Sequence, residues 1–317
     1  SKNYIYPDPY GVCLVIGAWN YPLQLTLAPI IGAMAAGNTC IIKPPRAALN
    51  TYHIIQKIIT ETFNEEYIAV LDEHSDNTEM LTYRYDYIFF TGGVEIGKTI
   101  ARAAAEFLTP TTLELGGKSP CVVDKNADIE VAARRVAWGK FLNGGQTCVA
   151  PDYLLLHEDV KEKFYKYFTK SVKDFYGNNP QDSADYPRII NDRHFDRLAA
   201  LLKDGNIIVG GQTDHDTRYI APTMIEIDSL EHPLMNDEIF GPILPVLLMN
   251  DMDEAISIIK QFEKPLAFYL FSNNYNTQQK FLNTIQFGGG CINDTVSHFV
   301  NDGLPFGGVG NSGVGAY

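Results

Sequence analysis

The alternation of apolar runs with turn residues over positions 12–43 decides the fold, and this stretch reads VCLVIGAWNYPLQLTLAPIIGAMAAGNTCIIK. Val12–Trp19 is a continuous apolar run that is too short for a typical helix, so it predicts a fully buried strand. Leu23–Ala36 is apolar almost all round, which predicts a buried helix that Pro29 would kink or divide. Thr39–Lys43 predicts a second strand, so the stretch as a whole is typical of a strand–helix–strand unit.

The same alternation continues along the rest of the chain. Further strands are predicted at 67–71, 87–90, 111–115, 120–124, 152–157, 206–209, 219–227, 243–249, 266–272 and 290–293, and further helices at 50–62, 94–107, 129–142, 158–175, 192–204, 253–262 and 276–286. Such alternation predicts parallel sheets with helices packed on their faces. We expect two α/β domains that meet near residue 117, with Gly116 and Gly117 as the hinge.

Composition excludes several classes of protein. The 317 residues are 45% hydrophobic and carry a formal charge of −13, which argues against disorder and against nucleic acid or an anionic membrane surface as the main partner. Residues 9–42 contain no charged side chain, but prolines and asparagines interrupt them, so a buried strand and helix are favoured over a membrane span. Five scattered cysteines without zinc-site spacing indicate reduced thiols and no metal site. We therefore expect a cytoplasmic protein, while a membrane anchor outside this sequence stays open.

Of the five cysteines, Cys148 has the most open sequence context. It follows Asn143-Gly144-Gly145-Gln146-Thr147, where glycines free the backbone and polar neighbours can form hydrogen bonds. Such a setting can lower a thiol pKa from about 8.5 and favour a nucleophilic thiolate. Cys13, Cys40 and Cys121 lie inside apolar strands, and Cys291 precedes Ile292 after a glycine triplet. Each of these four is most simply a small buried hydrophobic residue.

Two polar residues lie close to the ends of predicted strands. Glu114 is flanked by leucines, and it is either a solvated residue or a desolvated carboxylate whose raised pKa lets it take a proton near neutrality. Asn20 follows the first strand, at the edge where open parallel sheets bind ligands. Its amide could donate to a developing oxyanion, or it could cap the helix that begins near Pro22.

Residues 90–98, FTGGVEIGK, join a predicted strand to a predicted helix, where exposed N–H groups favour a phosphate. Gly92 and Gly97 are spaced as G-x-x-x-x-G, and residues 92–99 also satisfy the letters of a Walker A loop. An ATP or GTP site is therefore a competing prediction, although its best candidate for a magnesium-binding strand end, Asp124, is not convincing.

Seven motifs occur in an order that resembles the aldehyde dehydrogenase superfamily. They are GAWNYP at 17–22, KP at 43–44, FTG at 90–92, LELGGKSP at 113–120, GQTC at 145–148, EIFGP at 238–242 and PFGG at 305–308. Details such as CVAPDY at 148–153 are most similar to the class 3 branch, which acts on fatty and aromatic aldehydes. The resemblance covers nearly the whole chain. It implies a Rossmann-like NAD(P)-binding domain over 1–116 and a catalytic α/β domain over 117–317.

The resemblance also implies a mechanism. The Cys148 thiolate would attack the aldehyde to give a thiohemiacetal, with its oxyanion held by Asn20 and by the backbone N–H of Cys148. After oxidation to a thioester, Glu114 would activate water, which favours water over coenzyme A or phosphate as the acceptor. Lys43 would bind the adenosine ribose, Glu238 the nicotinamide ribose, and the remaining cofactor contacts would come from Thr91, Gly92, Gly97 and Phe240. Candidate substrate-channel residues, each of which could equally be plain packing, are Tyr21, His298 and Phe299.

One departure from the family concerns the cofactor. The family usually has Lys-Pro-Ser-Glu where this chain has Lys43-Pro44-Pro45-Arg46. An acid would accept from the 2′-hydroxyl of NAD, whereas Arg46 could pair with the 2′-phosphate of NADP. We expect NADP to be tolerated and hypothesise that it is preferred; the alternative is that Arg46 points into solvent.

Class 3 relatives have further chain at both ends of the region that matches this sequence. The resemblance implies that the N-terminal part would cover the cofactor domain and that the C-terminal part would serve oligomerisation, so that the full-length protein is expected to be a homodimer. Two other functions stay open at this point. One is a cysteine-dependent esterase that uses Cys148 and Glu114 without redox chemistry, and the other is a nucleotide-binding relative without turnover.

Overall fold

The computed structural model describes residues 2–203 and 205–317. The chain divides into two compact units, one ending at Leu115 and the other beginning at Gly116. The expected boundary lies one residue further along the chain. That the first unit binds the cofactor and the second carries out catalysis stays a prediction.

A parallel sheet with helices forms the first unit. Its five strands are arranged in the order β5-β4-β1-β2-β3. They are β1 (Val12–Ile16), β2 (Thr39–Lys43), β3 (Ile68–Val70), β4 (Tyr87–Thr91) and β5 (Thr111–Glu114). The helices are α1 (Gln24–Ala35), α2 (Leu49–Thr62), α3 (Asn77–Met80) and α4 (Val94–Ala105). Strand β1 is central, and its side chains pack into one apolar cluster through Val15 and into another through Leu14.

Helix α1 corrects one expectation. It is continuous through Pro29, which does not divide it, but only Thr26 and Ile30 of the helix are buried. Ile31 is 66% exposed. An apolar composition all round predicts no particular face, and within this unit α1 packs on β1 and β2 with one face only.

The second unit contains a seven-stranded sheet in the order β14-β13-β6-β7-β12-β11-β8, in which β8 is an antiparallel edge strand and the other pairs are parallel. These strands are β6 (Pro120–Val123), β7 (Tyr153–His157), β8 (Asn206–Val209), β11 (Thr223–Glu226), β12 (Ile243–Met249), β13 (Ala267–Phe271) and β14 (Gly289–Ile292). A small antiparallel pair, β9 (Thr213–Asp214) and β10 (Tyr219–Ile220), lies apart from it, and β15 (Gly313–Val314) lies near the end of the chain. The helices are α5 (Ile129–Phe141), α6 (Lys161–Tyr176), α7 (Asp192–Ala200), α8 (Met252–Ile259) and α9 (Tyr275–Thr284).

Both faces of this second sheet are buried, which explains why its strands read as continuous apolar runs. Along β7, Leu154 and Leu156 belong to one apolar cluster, whereas Tyr153 and Leu155 belong to another. The single strand expected over 219–227 is divided into β10 and β11 at Pro222, whose nitrogen cannot donate to a ladder. No helix among the described residues is long and apolar enough to cross a membrane.

Candidate functional site

The candidate residues of the first unit gather at the carboxyl edge of its sheet. Lys43 is the last residue of β2, Thr91 the last of β4 and Glu114 the last of β5. In the strand register, Thr91 lies opposite Glu114, and Lys43 lies opposite the end of β1. Asn20 follows β1 at the same edge. This is the edge at which open parallel sheets bind ligands.

Glu114 is a buried carboxyl group rather than a solvated one. Its side chain is 3% exposed. Both carboxyl oxygens, and the hydroxyl of Thr91 beside it, are buried without a hydrogen-bond partner among the described residues. Burial raises the pKa of Glu114 to about 8. A group with that pKa can exchange a proton near neutral pH, as a general base requires.

Asn20 does not cap helix α1. The helix begins at Gln24, and its N-cap residue is Leu23, three residues after Asn20. Asn20 and Tyr21 lie in the bend between β1 and α1, and both are half-buried. The helix-cap alternative is therefore wrong, and the role of Asn20 toward an oxyanion stays a prediction, as does that of Tyr21 toward a substrate.

Two cations meet on one backbone carbonyl beside β2. The Nζ of Lys43 donates to the oxygen of Ser75 at 3.2 Å, and Nη2 of Arg46 donates to the same oxygen at 2.6 Å. Burial, and then the charge of Arg46, lower the pKa of Lys43, while Asp76 raises it. Arg46 is exposed, but its guanidinium is anchored on Ser75 rather than extended into water. The arrangement places two positive charges where an anionic group can bind.

The turn before α4 contains two glycines, and a Cβ on the second, Gly93, would meet nothing within 4 Å. A Cβ on Gly92 would lie 2.4 Å from the ring of Phe90, so the close approach of that ring requires glycine. Gly93 is the N-cap of α4 and supplies no side chain to its first N–H groups. An uncapped helix start is a favourable place for a phosphate oxygen.

The competing Walker A site is not formed. Residues 97–99 lie inside α4, because the helix already begins at Val94. Lys98 pairs with Glu95 at 3.0 Å instead of facing a phosphate loop. Gly97 packs on Leu115, whose side chain would be 2.5 Å from a Cβ at that position. Gly97 thus has a role in packing α4, and its expected contact with a cofactor stays a prediction.

Together these features of the first unit fit a dinucleotide. The unpartnered Thr91 hydroxyl, the uncapped start of α4 and the two cations on Ser75 lie along one sheet edge. Each can hydrogen-bond or pair with a part of NAD(P).

In the second unit, Cys148 follows a strained and tightly held loop. Asn143, Gly144 and Gly145 are three consecutive residues with positive φ, from 52° to 72°. Gln146 fastens the loop, because its Nε2 donates to the carbonyl of Arg188 at 3.2 Å and its Oε1 accepts from the N–H of Ile190 at 3.0 Å. Cys148 itself is partly exposed. The thiol therefore lies on a fixed backbone with access to solvent.

The remaining cysteines differ from Cys148. Cys13, Cys40 and Cys121 are buried, as expected, and burial raises the thiol pKa of Cys13 to about 11 and of Cys40 to about 12. Cys291 is not the fully buried residue that was expected. It is partly exposed, and its sulfur lies 3.6 Å from Nδ1 of His298. Cys291 lies in β14, which is an edge strand of the sheet. The residues next to Cys291 in sequence do not indicate this position.

The segment of Glu238 packs closely on two glycines. A Cβ on Gly116 would lie 2.0 Å from a carboxyl oxygen of Glu238, so any side chain there would displace that carboxylate. The N–H of Gly117 donates to the same carboxylate. Burial, and then the negative charge of Asp152, raise the pKa of Glu238 to about 8. Glu238 is half-buried, and its carboxylate is held by an N–H donor instead of being fully solvated.

The segment that carries Glu238 and Phe240 also contacts the cysteine loop. Phe240 has a φ of 49°, which is uncommon for a bulky residue. A Cβ on Gly145 would lie 2.2 Å from the carbonyl oxygen of Gly241. The two backbones therefore touch at Gly145 and Gly241.

A buried ion pair near these loops was not singled out from the sequence. Lys118 and Asp152 pair at 2.6 Å, and both side chains are less than 10% exposed. Both residues belong to motifs, LELGGKSP at 113–120 and CVAPDY at 148–153, but the sequence predicted no role for either. The available signal was a charged residue inside an otherwise apolar or glycine-rich stretch.

His298 and Phe299 have different surroundings. His298 lines a cavity of about 290 Å³ with Leu266, Leu304, Pro305, Phe306 and backbone atoms of 288–290 and 307. Its Nε2 is buried without a partner among the described residues, and burial lowers its pKa. Phe299 instead packs against the main apolar cluster of the unit, as the packing alternative predicts.

The chain is similar to known proteins over its whole length. A model described as the aldehyde dehydrogenase family matches residues 1–317. The 4,4'-diaponeurosporen-aldehyde dehydrogenase of Staphylococcus aureus is 49% identical over 320 residues, with 100% of this chain and 70% of that protein covered. A Rattus norvegicus protein, "Aldehyde dehydrogenase, dimeric NADP-preferring", is 48% identical over 315 residues, with 99% of this chain and 70% of that protein covered.

A solved structure is similar as well. Staphylococcus aureus AldH in a substrate-bound state matches with a TM-score of 0.96 at 49% identity, and the match covers 98% of this chain and 68% of that chain. The chain thus spans about two thirds of the length of its relatives. These similarities confirm the predicted two-sheet α/β fold and the predicted class, an oxidoreductase that converts aldehydes into acids with NAD or NADP. The chain belongs to the aldehyde dehydrogenase family.

Proposed function

We propose that this chain oxidises aldehydes through a covalent intermediate on Cys148. The observation that carries the proposal is the loop before Cys148, which fixes the backbone while leaving the thiol partly exposed. A thiolate there attacks the aldehyde carbon and forms a thiohemiacetal, whose oxyanion accepts from the Asn20 amide and the Cys148 N–H. Such preorganised donors are worth about 10²–10³ in rate each.

Proton transfer in this proposal belongs to Glu114. Bound NAD(P)⁺ would supply the oxidising power of the reaction, as the acceptor for the hydride of the thiohemiacetal. Glu114 then takes a proton from water, which hydrolyses the resulting thioester and frees the Cys148 sulfur. Its pKa of about 8 suits this exchange. A carboxylate at this position favours water over coenzyme A or phosphate as the acyl acceptor, because it can take a proton from water.

We assign cofactor binding to residues of both units by their chemistry. Lys43 would hold the adenosine ribose, Arg46 the 2′-phosphate of NADP, and the Gly92 turn at α4 the pyrophosphate. Thr91 and Phe240 would border the nicotinamide, and Glu238 would accept from the hydroxyls of its ribose. The anchored guanidinium of Arg46 supports a preference for NADP, as does the similarity to a relative named NADP-preferring.

For the substrate, we propose medium or long aliphatic, or aromatic, aldehydes. The apolar cavity beside His298 would accept such a chain, and a relative is named for a diaponeurosporen aldehyde. We further propose a homodimer, because a similar protein is named dimeric. All five cysteines are outside disulfides, which fits a reducing compartment such as the cytoplasm.

The test follows the absorbance of reduced nicotinamide with NAD or NADP and a series of aldehydes of increasing length. Cys148→Ala should abolish the signal, whereas Cys291→Ala, which removes another partly exposed thiol, should retain it. Ester cleavage without nucleotide and without aldehyde oxidation would instead favour the esterase. Nucleotide binding with neither activity would contradict the proposal.

A further inference from the structure

Lys118 and Asp152, which form a buried ion pair, also form hydrogen bonds with the backbone of other residues. Besides Asp152, the Nζ of Lys118 donates to the carbonyl of Leu234 at 2.8 Å and to that of Asp237 at 3.0 Å. The other oxygen of Asp152 accepts from the N–H of Ile239 at 2.9 Å. All three protons of the ammonium and both carboxylate oxygens are therefore used. Three of these bonds end on the backbone of residues 234–239, which immediately precede and include Glu238.

Strain in that segment explains why it needs fastening. Phe240 occupies the left-handed region, which a bulky residue adopts only when its surroundings hold it there. On its N-terminal side, the N–H of Ile239 is bound by Asp152 and the carbonyl of Ile239 accepts from Nη2 of Arg197 at 2.6 Å. On its C-terminal side, the carbonyl of Pro242 accepts from the N–H of Thr223 at 2.9 Å. The backbone is thus held on both sides of Phe240.

Asp152 also belongs to the chain segment that carries the thiol. It lies four residues after Cys148 in sequence, and its N–H donates to the carbonyl of Ser119, next to Lys118, at 2.8 Å. Between these positions, the carbonyl of Val149 accepts from the Tyr269 hydroxyl at 2.5 Å. One carboxylate therefore joins the Cys148 segment to the backbone that presents Glu238 and Phe240.

We propose that the Lys118–Asp152 pair is a positioning element for the nicotinamide end of the cofactor, because it fastens the Glu238–Phe240 segment to the segment of Cys148. This inference rests on the proposed function, since it assigns Glu238 and Phe240 to that end of NAD(P). Lys118 and Asp152 touch neither substrate nor cofactor in this account and act only through the backbone they hold.

Charge gives this arrangement a signature that a purely structural pair would lack. Glu238 is surrounded by Asp152, which raises its pKa, and by Lys118 and Lys140, which lower it, while the N–H of Gly117 also lowers it. Arg197 interacts with the same carboxylate. Removing the charge of Asp152 should therefore lower the pKa of Glu238, and removing that of Lys118 should raise it.

The experiment compares Asp152→Asn and Lys118→Met with the unchanged chain. Binding of NADPH, which contains the nicotinamide ribose, is titrated beside binding of ADP, which lacks both that ribose and nicotinamide. We expect NADPH binding to weaken by about tenfold to a hundredfold, with ADP binding unchanged. Lys125→Met is the matched control, because Lys125 forms an exposed ion pair with Asp159 at 3.8 Å and should leave both affinities unchanged.

The second readout is the pH at which NADPH binding is half-maximal. It should move down in Asp152→Asn and up in Lys118→Met, because the two charges act on Glu238 with opposite sign. Should either variant fail to fold, the double variant Lys118→Met/Asp152→Leu replaces the pair with apolar side chains, which cores commonly tolerate. It should still lose NADPH affinity while it keeps ADP affinity.

Two results would overturn the proposal. One is equal weakening of ADP and NADPH, which would indicate general loosening of the protein. The other is unchanged NADPH affinity in a folded double variant. Failure of the unchanged chain to bind NADPH at all would contradict the proposed function itself, and is therefore distinguishable from both.

Discussion

The contact between the cysteine loop and the Glu238–Phe240 segment predicts that Gly145→Ala is strongly destabilising. Gly145 has a φ of 72°, and an L-residue in that conformation costs about 1–2 kcal/mol. The new Cβ would also lie 2.2 Å from the Gly241 oxygen and 3.0 Å from that of Lys140. Both are backbone atoms, so the loops must move apart, and overpacking of this kind costs about 1–3 kcal/mol. The two contributions together are about 2–5 kcal/mol.

A second glycine separates these contributions. Gly37 has a φ of 83° at the end of helix α1, and a Cβ there would meet only the ring of Pro9, at an ordinary 3.7 Å. Gly37→Ala should therefore lose only the conformational part, about 1–2 kcal/mol. The difference between the two variants measures the contact of Gly145 with Gly241.

The assay is urea unfolding of both variants, together with the rate of aldehyde oxidation. Because Cys148 lies three residues after Gly145, Gly145→Ala should also lower kcat, by about a hundredfold if the sulfur is displaced by 1 Å. Gly37→Ala should leave kcat unchanged, since Gly37 lies between α1 and β2, at the amino end of that strand. The reasoning is refuted if Gly145→Ala destabilises the chain no more than Gly37→Ala does.

Three further variants test the remaining site residues. The pKa of Glu114 in the folded protein, about 8, lies above its ordinary 4.5, so folding favours the protonated carboxyl group. The contribution of this group to the unfolding free energy is therefore complete below pH 4.5 and is lost as the pH rises to 8. Glu114→Gln should therefore raise the unfolding free energy at pH 8 by up to about 4–5 kcal/mol, with no gain at pH 4, and should accumulate thioester detectable by mass spectrometry; an equal gain at both pH values would contradict this. Gln146→Ala leaves the Ile190 N–H without its acceptor, so we expect a loss of about 1–3 kcal/mol in thermal unfolding and a lower kcat at unchanged aldehyde KM; unchanged kcat would show that Gln146 does not position Cys148. Arg46→Glu should lower the NADP/NAD ratio of kcat/KM by about tenfold or more, and an unchanged ratio would show that Arg46 does not contact the 2′-phosphate.

Local patterns predicted most of the elements because the central strands of both sheets are largely buried on both faces. Runs such as those of β1 and β7 are apolar without interruption, and turn residues separate them from helices. The failures have physical causes. Helix α1 is apolar on all sides, so its sequence does not indicate which face is buried. Helix α3 has only four residues, which are too few to show a helical period.

The candidate site was only partly readable for a different reason. Glycines at 92 and 145 mark close backbone approach, but the partner that approaches is distant in sequence for Gly145, namely Gly241. The pairing of Lys118 with Asp152 likewise joins two motifs that are separated along the chain. Motifs in order identify the family, whereas the bonds that hold one motif on another arise only in the folded unit.

Glu114 and Glu238 show why the environment matters more than the residue type. Both carboxyl groups have a pKa of about 8, yet for Glu114 burial alone accounts for the rise among the described residues. For Glu238, burial and Asp152 act against Lys118, Lys140 and an N–H donor. A group with no partner to stabilise either form can give and take a proton freely, which suits Glu114 to activating water. The pKa of Glu238 instead depends on the fixed charges around it, and its carboxylate is held in place, which suits it to binding a ribose. Asp152→Asn should therefore shift the pH dependence of cofactor binding and leave that of thioester hydrolysis unchanged.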